Sequence, residues 1–252
     1  MIGAGRILDM LGSRGLRASW YVPGVVIETY PAACERLVAG GHEVGHHGWS
    51  HVPPASMAAD KEAEEFGLAI ESIRRLTGKT PVGYRSPAWD LSPQSIDLML
   101  SHGIRYDSSM MGHDCEPYFV RRGDRVAADK PMVFGQPTDL VEIPVSWSLD
   151  DHPHFEFSKT KSGISPGLAN ANAVLENWVA DFEFMQRHVR WGALVYTFHP
   201  YVIGRGHRMI MLTNLIDELT RRGAAFLTLD EVQQEFRQRQ ASTCDDLRSQ
   251  SV

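Results

Sequence analysis

The stretch Gly41-His42-Glu43-Val44-Gly45-His46-His47-Gly48-Trp49-Ser50-His51, GHEVGHHGWSH, places four histidines in eleven residues. It follows a glycine and reads as a strand over His42 to His46 that breaks at its histidine-rich end. What fold it belongs to depends on whether that layout recurs. Outward from it the same layout returns. Leu16–Val22 (LRASWYV) is closed by Pro23-Gly24, and Val82–Pro87, Ile104–Ser108, Leu140–Ser146, Ala193–Phe198 and Ala225–Leu229 read as further strands.

Helical patterns lie between these runs. They are Ser56–Leu76, a helix opened by Ser92-Pro93 and closed by Gly103, Ala173–Arg190 and Met209–Arg222. Strands alternating with helices give a mainly parallel sheet, open or closed into a barrel. Gly112–Thr138 reads as the longest irregular stretch. One domain is expected over residues 1–240, with a flexible tail over 241–252 (ASTCDDLRSQSV).

The 252 residues carry a formal net charge of −6, with 43% hydrophobic and 22% charged residues, as a soluble globular protein does. That balance argues against a nucleic-acid partner. No apolar run reaches the length of a membrane span, and MIGAGRILDMLGSRG has no signal-peptide core. Cys34, Cys115 and Cys244 stand far apart, which fits a reducing, cytoplasmic setting.

The polar residues fall where strands end. His47, Arg85, Asp107, Asp150 and His199 all sit at or just past a C-terminal strand end, the edge where parallel α/β folds build their sites. The four-residue spacing of His47 and His51 puts both imidazoles on one face of a helical turn, as ligands of one metal such as zinc, or else marks a surface turn. His42 and His46 read as structural. Arg85, stiffened by Pro87, orients a carboxylate or a substrate carbonyl, or makes an ion pair. His199, before Pro200, is a candidate general acid, or a core histidine on a backbone carbonyl. Asp150 and Asp151 can orient Arg85 or His199, ligate a metal or cap the following loop; Asp150 is taken as the catalytic one. Gly204–Arg208 is a basic loop that contacts substrate or a subunit, or starts a helix. Cys115 has no activating base beside it. Trp49, Trp89 and Trp147, with Tyr84, suggest an aromatic-lined pocket for sugars or flat rings.

Six stretches, GHEVGHHGWSH, YRSPAWDLSP, GIRYDSSMMG, LVEIPVSWSLDDHPHF, TFHPYVIGRGHR and AAFLTLDEV, resemble in this order the polysaccharide deacetylase (NodB-homology) superfamily. They are most similar to its intracellular branch of peptidoglycan deacetylase-like proteins, allantoinases and cyclic imidases. The resemblance implies a distorted (β/α) barrel that hydrolyses a non-peptide C–N bond in a small amide or N-acetylated sugar. It implies a divalent metal, zinc foremost, on His47 and His51, with His199 as general acid. Arg85 would support a catalytic carboxylate, and the protein would form a homo-oligomer. One departure stands out. The family's first strand ends in an aspartate pair, whereas MIGAGRILDML matches the helix after that strand, with Asp9 inside it. The first strand and both aspartates are therefore expected to be missing. A truncated start is the favoured explanation, ahead of a metal site completed by Asp150 or Asp151 and of a dead homologue. Two other functions stay open: an allantoinase- or imidase-like hydrolase of a cyclic amide, and a non-catalytic binding module.

Overall fold

The computed structural model describes residues 2–160 and 163–249. In chain order the elements begin with α1 (Ile2–Ser13), β1 (Ser19–Val22), α2 (Gly24–Thr29), α3 (Pro31–Ala39), β2 (Glu43–His46), α4 (Ala59–Thr77) and β3 (Gly83–Tyr84). Then come α5 (Ser95–Ser101), β4 (Tyr106–Asp107), β5 (Tyr118–Arg122), β6 (Arg125–Ala127), β7 (Lys130–Val133) and β8 (Gln136–Glu142). The remainder are α6 (Asp151–Phe155), β9 (Ser158–Thr160), β10 (Gly163–Ser165), α7 (Ala171–His188), α8 (Pro200–Ile203), α9 (Gly206–Arg221) and α10 (Leu229–Ser249). The architecture is α/β with a parallel sheet. No helix among the described residues is long and apolar enough to cross a membrane.

The chain divides into two compact units. The sheet unit comprises Ala18–Met110, Pro117–Ile143 and Leu227–Val252. Its strands run in the order β1-β2-β3-β4-β8-β5, parallel except for β5, which is antiparallel to β8. Helix α4 shows why these residues choose these elements. Phe66, Ala69, Ile70 and Ile73 recur at helical spacing and are buried. Asp60 and Glu62 occupy its first turn, Arg74 and Arg75 its last, each suiting the helix dipole. Gly78, at φ 73°, ends it. Phe66 and Ile70 pack with Tyr84, Met99, Ile104, Val120 and Leu140 as one core cluster.

Register then sets the site. His46, Tyr84, Asp107 and Glu142 are successive partners across β2, β3, β4 and β8, so the next residues, His47, Arg85 and Ser108, emerge level with one another. One residue earlier, Gly45 of β2 and Gly83 of β3 lie between Tyr21 of β1 and Tyr106 of β4. A Cβ on Gly45 would stand 2.6 Å from the Tyr21 ring, and one on Gly83 would stand 2.0 Å from that of Tyr106. The two tyrosines fill the space over these glycines and join hydroxyl to hydroxyl at 2.8 Å.

The helical unit comprises Met1–Arg17, Met111–Glu116 and Pro144–Phe226. It holds α1, α6, α7, α8 and α9, whose buried faces include Val174, Trp178 and Phe182 of α7 and Leu212, Leu215 and Ile216 of α9.

Several sequence readings change. The strand expected over Ala193–Phe198 is a single parallel bridge, Thr197 to Asp150, and Ala225–Leu229 lies outside the named strands. The strand expected over Leu140–Ser146 instead runs Gln136–Glu142; Pro144, two residues on, has no N–H with which to prolong a ladder. Gly112–Thr138 is not irregular, because it contains β5, β6, β7 and the start of β8. Charged, solvent-facing residues hid those short strands from a hydrophobicity reading. Helix α10 continues to Ser249, and residues 250–252 of the expected tail lie outside the described residues.

Gly83→Ala should cost about 1–3 kcal/mol in denaturant unfolding, because the new methyl group meets the Tyr106 ring. Unchanged stability would mean that Tyr106 can leave its position freely.

Candidate functional site

The histidine turn starts with an imidazole that cannot take part in chemistry. His46 is fully buried at the end of β2, donates from Nε2 to the Phe66 carbonyl at 3.0 Å and accepts the Gly48 N–H on Nδ1 at 3.2 Å. Both nitrogens are satisfied, and burial pulls its pKa down to about 4. His42 likewise is structural, since its Nδ1 accepts the Ala18 N–H at 3.1 Å.

His47 differs. Its Nδ1 lies 2.6 Å from the Arg85 carbonyl, which only accepts, so Nδ1 carries the proton and the lone pair is on Nε2. Burial pulls its pKa down to about 3, with the Arg85 carbonyl opposing. A neutral imidazole with a fixed tautomer is the form that ligates a metal. The His51 ring centroid is 4.9 Å away. The turn that brings it there is not helical, as the spacing had suggested. Gly48 and His51 both adopt left-handed backbone, at φ 67° and 63°. Glu65 of α4 holds the turn between them by accepting the Ser50 N–H at 3.1 Å and the Ser50 hydroxyl at 2.6 Å.

Arg85 follows β3 and is 7% exposed. It donates from Nε to the Ser108 carbonyl at 2.9 Å and from Nη2 to the Ser108 hydroxyl at 2.8 Å. Its guanidinium carbon lies 4.5 Å from the centre of the Tyr21 ring. Tyr84, expected to touch substrate, is instead a core residue at 2% exposure, with its ring against His46 and Phe66. Strand parity turns it to the face opposite Arg85. Ala88 and Trp89 both have positive φ, 57° and 54°, a strained pair directly after the Arg85-Ser86-Pro87 corner. Trp89 is half-buried, and Trp49 is half-buried with its ring against the Cα of Gly24.

In the helical unit, His199 precedes α8 and is held from two sides by one carboxylate. Asp151 Oδ1 accepts from His199 Nδ1 at 2.7 Å, and both Asp151 oxygens lie 3.0 Å from the His199 N–H. Asp151 is itself fully buried. That burial pushes its carboxyl upward and the His199 contacts draw it back. Asp150, the residue chosen from sequence, has another task. Its Oδ1 accepts the His152 N–H at 2.7 Å as the N-cap of α6, and it stands 3.7 Å from His199 Nδ1. Two adjacent aspartates are indistinguishable in sequence; the bridge between Asp150 and Thr197 decides which one meets the histidine. The rings of His152 and Tyr201 flank His199 at 5.5 and 5.9 Å. Trp147 is 45% exposed. Trp178 was not singled out in sequence, yet it donates to the Ser148 carbonyl at 2.6 Å and packs on Phe198. In the basic loop, Arg208 binds Glu156 at 2.8 Å and the carbonyls of Phe155 and Val202, so that loop serves as the start of α9.

Among the described residues, two groups of three potential ligands lie close enough for one cation: Asp150, Asp151 and His199, and His113, Asp114 and Cys115. The first is a candidate histidine–aspartate metal site. His47 and His51 belong to neither group, although His47 has a ligand's tautomer. Burial pushes the Cys115 thiol up to about 12, so it is no nucleophile near neutrality.

Residues 3–106 match the polysaccharide deacetylase family model. The chain is 36% identical over 249 residues to a peptidoglycan deacetylase of Helicobacter pylori, covering 94% of this chain and 85% of that one. Its structure is similar to that of a Mycobacterium smegmatis protein assigned to the polysaccharide deacetylases, with TM-score 0.80 and 28% identity over 95% of this chain and 78% of that one. It shares its fold with PuuE allantoinase, at TM-score 0.74 and 20% identity over 92% of this chain and 71% of that one.

Glu65→Ala should destabilise the protein by about 1 kcal/mol, since it removes the acceptor of two Ser50 hydrogen bonds that anchor the turn. Denaturant unfolding within experimental error of wild type would show that the histidine turn holds without Glu65.

Proposed function

The chain belongs to the polysaccharide deacetylase family of hydrolases that cleave non-peptide C–N bonds, and we propose that it removes the acetyl group from an N-acetylated amino sugar. The observation that carries this reading is His199, whose ring and backbone are both fixed by the buried Asp151. With Nδ1–H bound to a carboxylate, Nε2 is left to carry a proton to the departing nitrogen as the C–N bond breaks. Asp151 then stabilises the imidazolium state that precedes the transfer and sets the ring's orientation.

His47 and His51 would hold a divalent metal, zinc suiting paired imidazoles best. When bound, such an ion supplies Lewis-acid polarisation of the amide carbonyl and lowers the pKa of a water. His47 fits that role because its Nε2 lone pair is the one not used by the Arg85 carbonyl. Arg85 stays charged throughout and positions the His47 ring through that carbonyl. The exposed Trp147 is a platform for a sugar ring, with half-buried Trp49 and Trp89 as further candidates. The sugar substrate is favoured over a cyclic amide by the relationship to a peptidoglycan deacetylase at 36% identity, whereas the likeness to the allantoinase is one of fold.

Acetate release from N-acetylglucosamine oligomers, run beside allantoin and a cyclic imide, tests the substrate class. His199→Ala should abolish turnover while the protein stays folded; undiminished turnover would end the assignment. Asp151→Ala should lower kcat by about 10²–10⁴-fold. Asp150→Ala should act mainly through the lost helix cap, about 1 kcal/mol of stability. Equal effects of the two on kcat would overturn this division of roles. Metal content by mass spectrometry should fall in His51→Ala and after chelation, and zinc should restore the wild-type protein alone.

A further inference from the structure

Asp107 and Glu142 are both 0% exposed and are direct partners across the parallel ladder between β4 and β8, so their side chains lie on the same face of the sheet. Three donors around them are taken up by two oxygens. Asp107 Oδ1 accepts the Ser109 hydroxyl at 2.7 Å, while Glu142 Oε1 accepts the N–H groups of Ser109 at 3.0 Å and Met110 at 2.8 Å. The Ser108 N–H is spent elsewhere, on the Tyr84 carbonyl at 3.0 Å. The other two oxygens, Asp107 Oδ2 and Glu142 Oε2, are buried and have no donor from any other described residue. The two carboxyl groups are neighbours across the ladder, and each acts on the ionisation of the other. Two ionised carboxylates cannot satisfy one another, because each only accepts; a proton held by one of them lets the pair bond.

We infer that Asp107 and Glu142 share a single proton, and that this acid–carboxylate pair is the positioning device for Arg85. The connection is a short chain of bonds. Ser109, held by both carboxyl groups, accepts the Ser86 N–H on its hydroxyl at 2.8 Å. Ser108, between Asp107 and Ser109, accepts from Arg85 on its carbonyl and on its hydroxyl, and passes its own hydroxyl proton to the Ile143 carbonyl at 2.7 Å. Ile143 in turn donates to the Asp107 carbonyl at 2.9 Å. With no proton on the pair, two buried charges repel across the ladder and the Ser108–Met110 segment loses its seat.

The charged and titratable groups that act on the pair are the Arg85 guanidinium beyond β3, which opposes the upward push on Asp107, and the tyrosines Tyr21 and Tyr84, which burial keeps neutral. Desolvation raises both carboxyl groups above their ordinary ranges, Glu142 furthest. A proton retained by the folded state and lost by the unfolded one stabilises fully at acid pH. That stabilisation declines as pH rises toward the folded pKa, by up to tenfold in the folding equilibrium constant per pH unit for one proton.

The test is denaturant unfolding as a function of pH on the full chain. Glu142→Gln keeps every bond, because its amide donates to Asp107 and its oxygen still accepts from Ser109 and Met110, but it has nothing to titrate. It should fold as well as wild type at acid pH and lose one proton's share of the decline as pH rises above the ordinary carboxyl range. Asp107→Asn should do the same. The double variant puts two amide donors face to face, so it should be less stable than either single. Parallel pH curves for wild type and Glu142→Gln, or a double variant as stable as the singles, would overturn the shared proton. The consequence for turnover rests on the role proposed for Arg85 and is read separately. Glu142→Ala should lower kcat and Glu142→Gln restore it, and failure of that rescue with the stability result intact would reject the coupling to Arg85 alone.

Discussion

The sheet unit is organised around one charge that cannot be given up. Arg85 is almost wholly removed from water, and a guanidinium keeps its proton at any pH a protein survives. A buried cation without acceptors would be prohibitive, so the neighbouring strand ends must deliver them. Ser108 does so twice, with its carbonyl and with a hydroxyl whose own proton is committed to Ile143. The face of Tyr21 takes the guanidinium plane. These contacts hold β3, β4 and β8 level, and the level register leaves the Arg85 carbonyl facing His47. The orientation of a candidate metal ligand thus follows from how a charge two strands away from β8 is kept hydrogen-bonded.

Helix α4 supplies the second constraint. Glu62 and Glu65 are three residues apart, hence on one helix face, and both are buried. Glu62 accepts from Ser92, Gln94 and Ser95 and so fixes the start of α5, while Glu65 fixes Ser50. One rigid face therefore places two loops at the same edge of the sheet. That edge also carries the backbone strain, with positive φ at His51, Ala88 and Trp89. Such conformations cost of order 1–3 kcal/mol each, and persist only where surrounding bonds leave no alternative. Ser86 supplies one of those bonds, its hydroxyl donating to the Asp90 carbonyl across the corner.

Much of this was legible in sequence because strand ends announce themselves. The runs before His47, Arg85 and Asp107 are apolar, glycine- or proline-bounded and alternate with periodic helices, which is enough to place those residues at one sheet edge. The nearness of His47 and His51 also followed from spacing, though by way of a helical turn that the left-handed Gly48 and His51 replace. Three things were beyond reach. Tyr84 and Arg85 are neighbours, and only strand parity, invisible without the sheet, sends one to the core and the other to the edge. Asp150 and Asp151 differ only in which side of the Thr197 bridge they follow. Glu142 lies inside an apolar strand and looks like an exposed ladder residue until Asp107 is found beside it.

The two candidate catalytic imidazoles differ in one bond, and that bond separates their roles. His47 gives its Nδ1 proton to a backbone carbonyl, a neutral acceptor that fixes the tautomer while burial opposes any positive charge. His199 gives its Nδ1 proton to Asp151, an acceptor whose negative charge stabilises an imidazolium when one forms. A group meant to offer a lone pair should be kept neutral, and a group meant to lend a proton should have its charged form supported. Exchanging the partners would spoil both proposed roles: a carboxylate behind His47 would favour protonation of the nitrogen proposed to ligate, and a carbonyl behind His199 would leave its imidazolium unsupported. The choice between carbonyl and carboxylate at Nδ1 is made by the end of β3 in one case and the start of α6 in the other, and the proposed division of labour between two otherwise identical side chains rests on it.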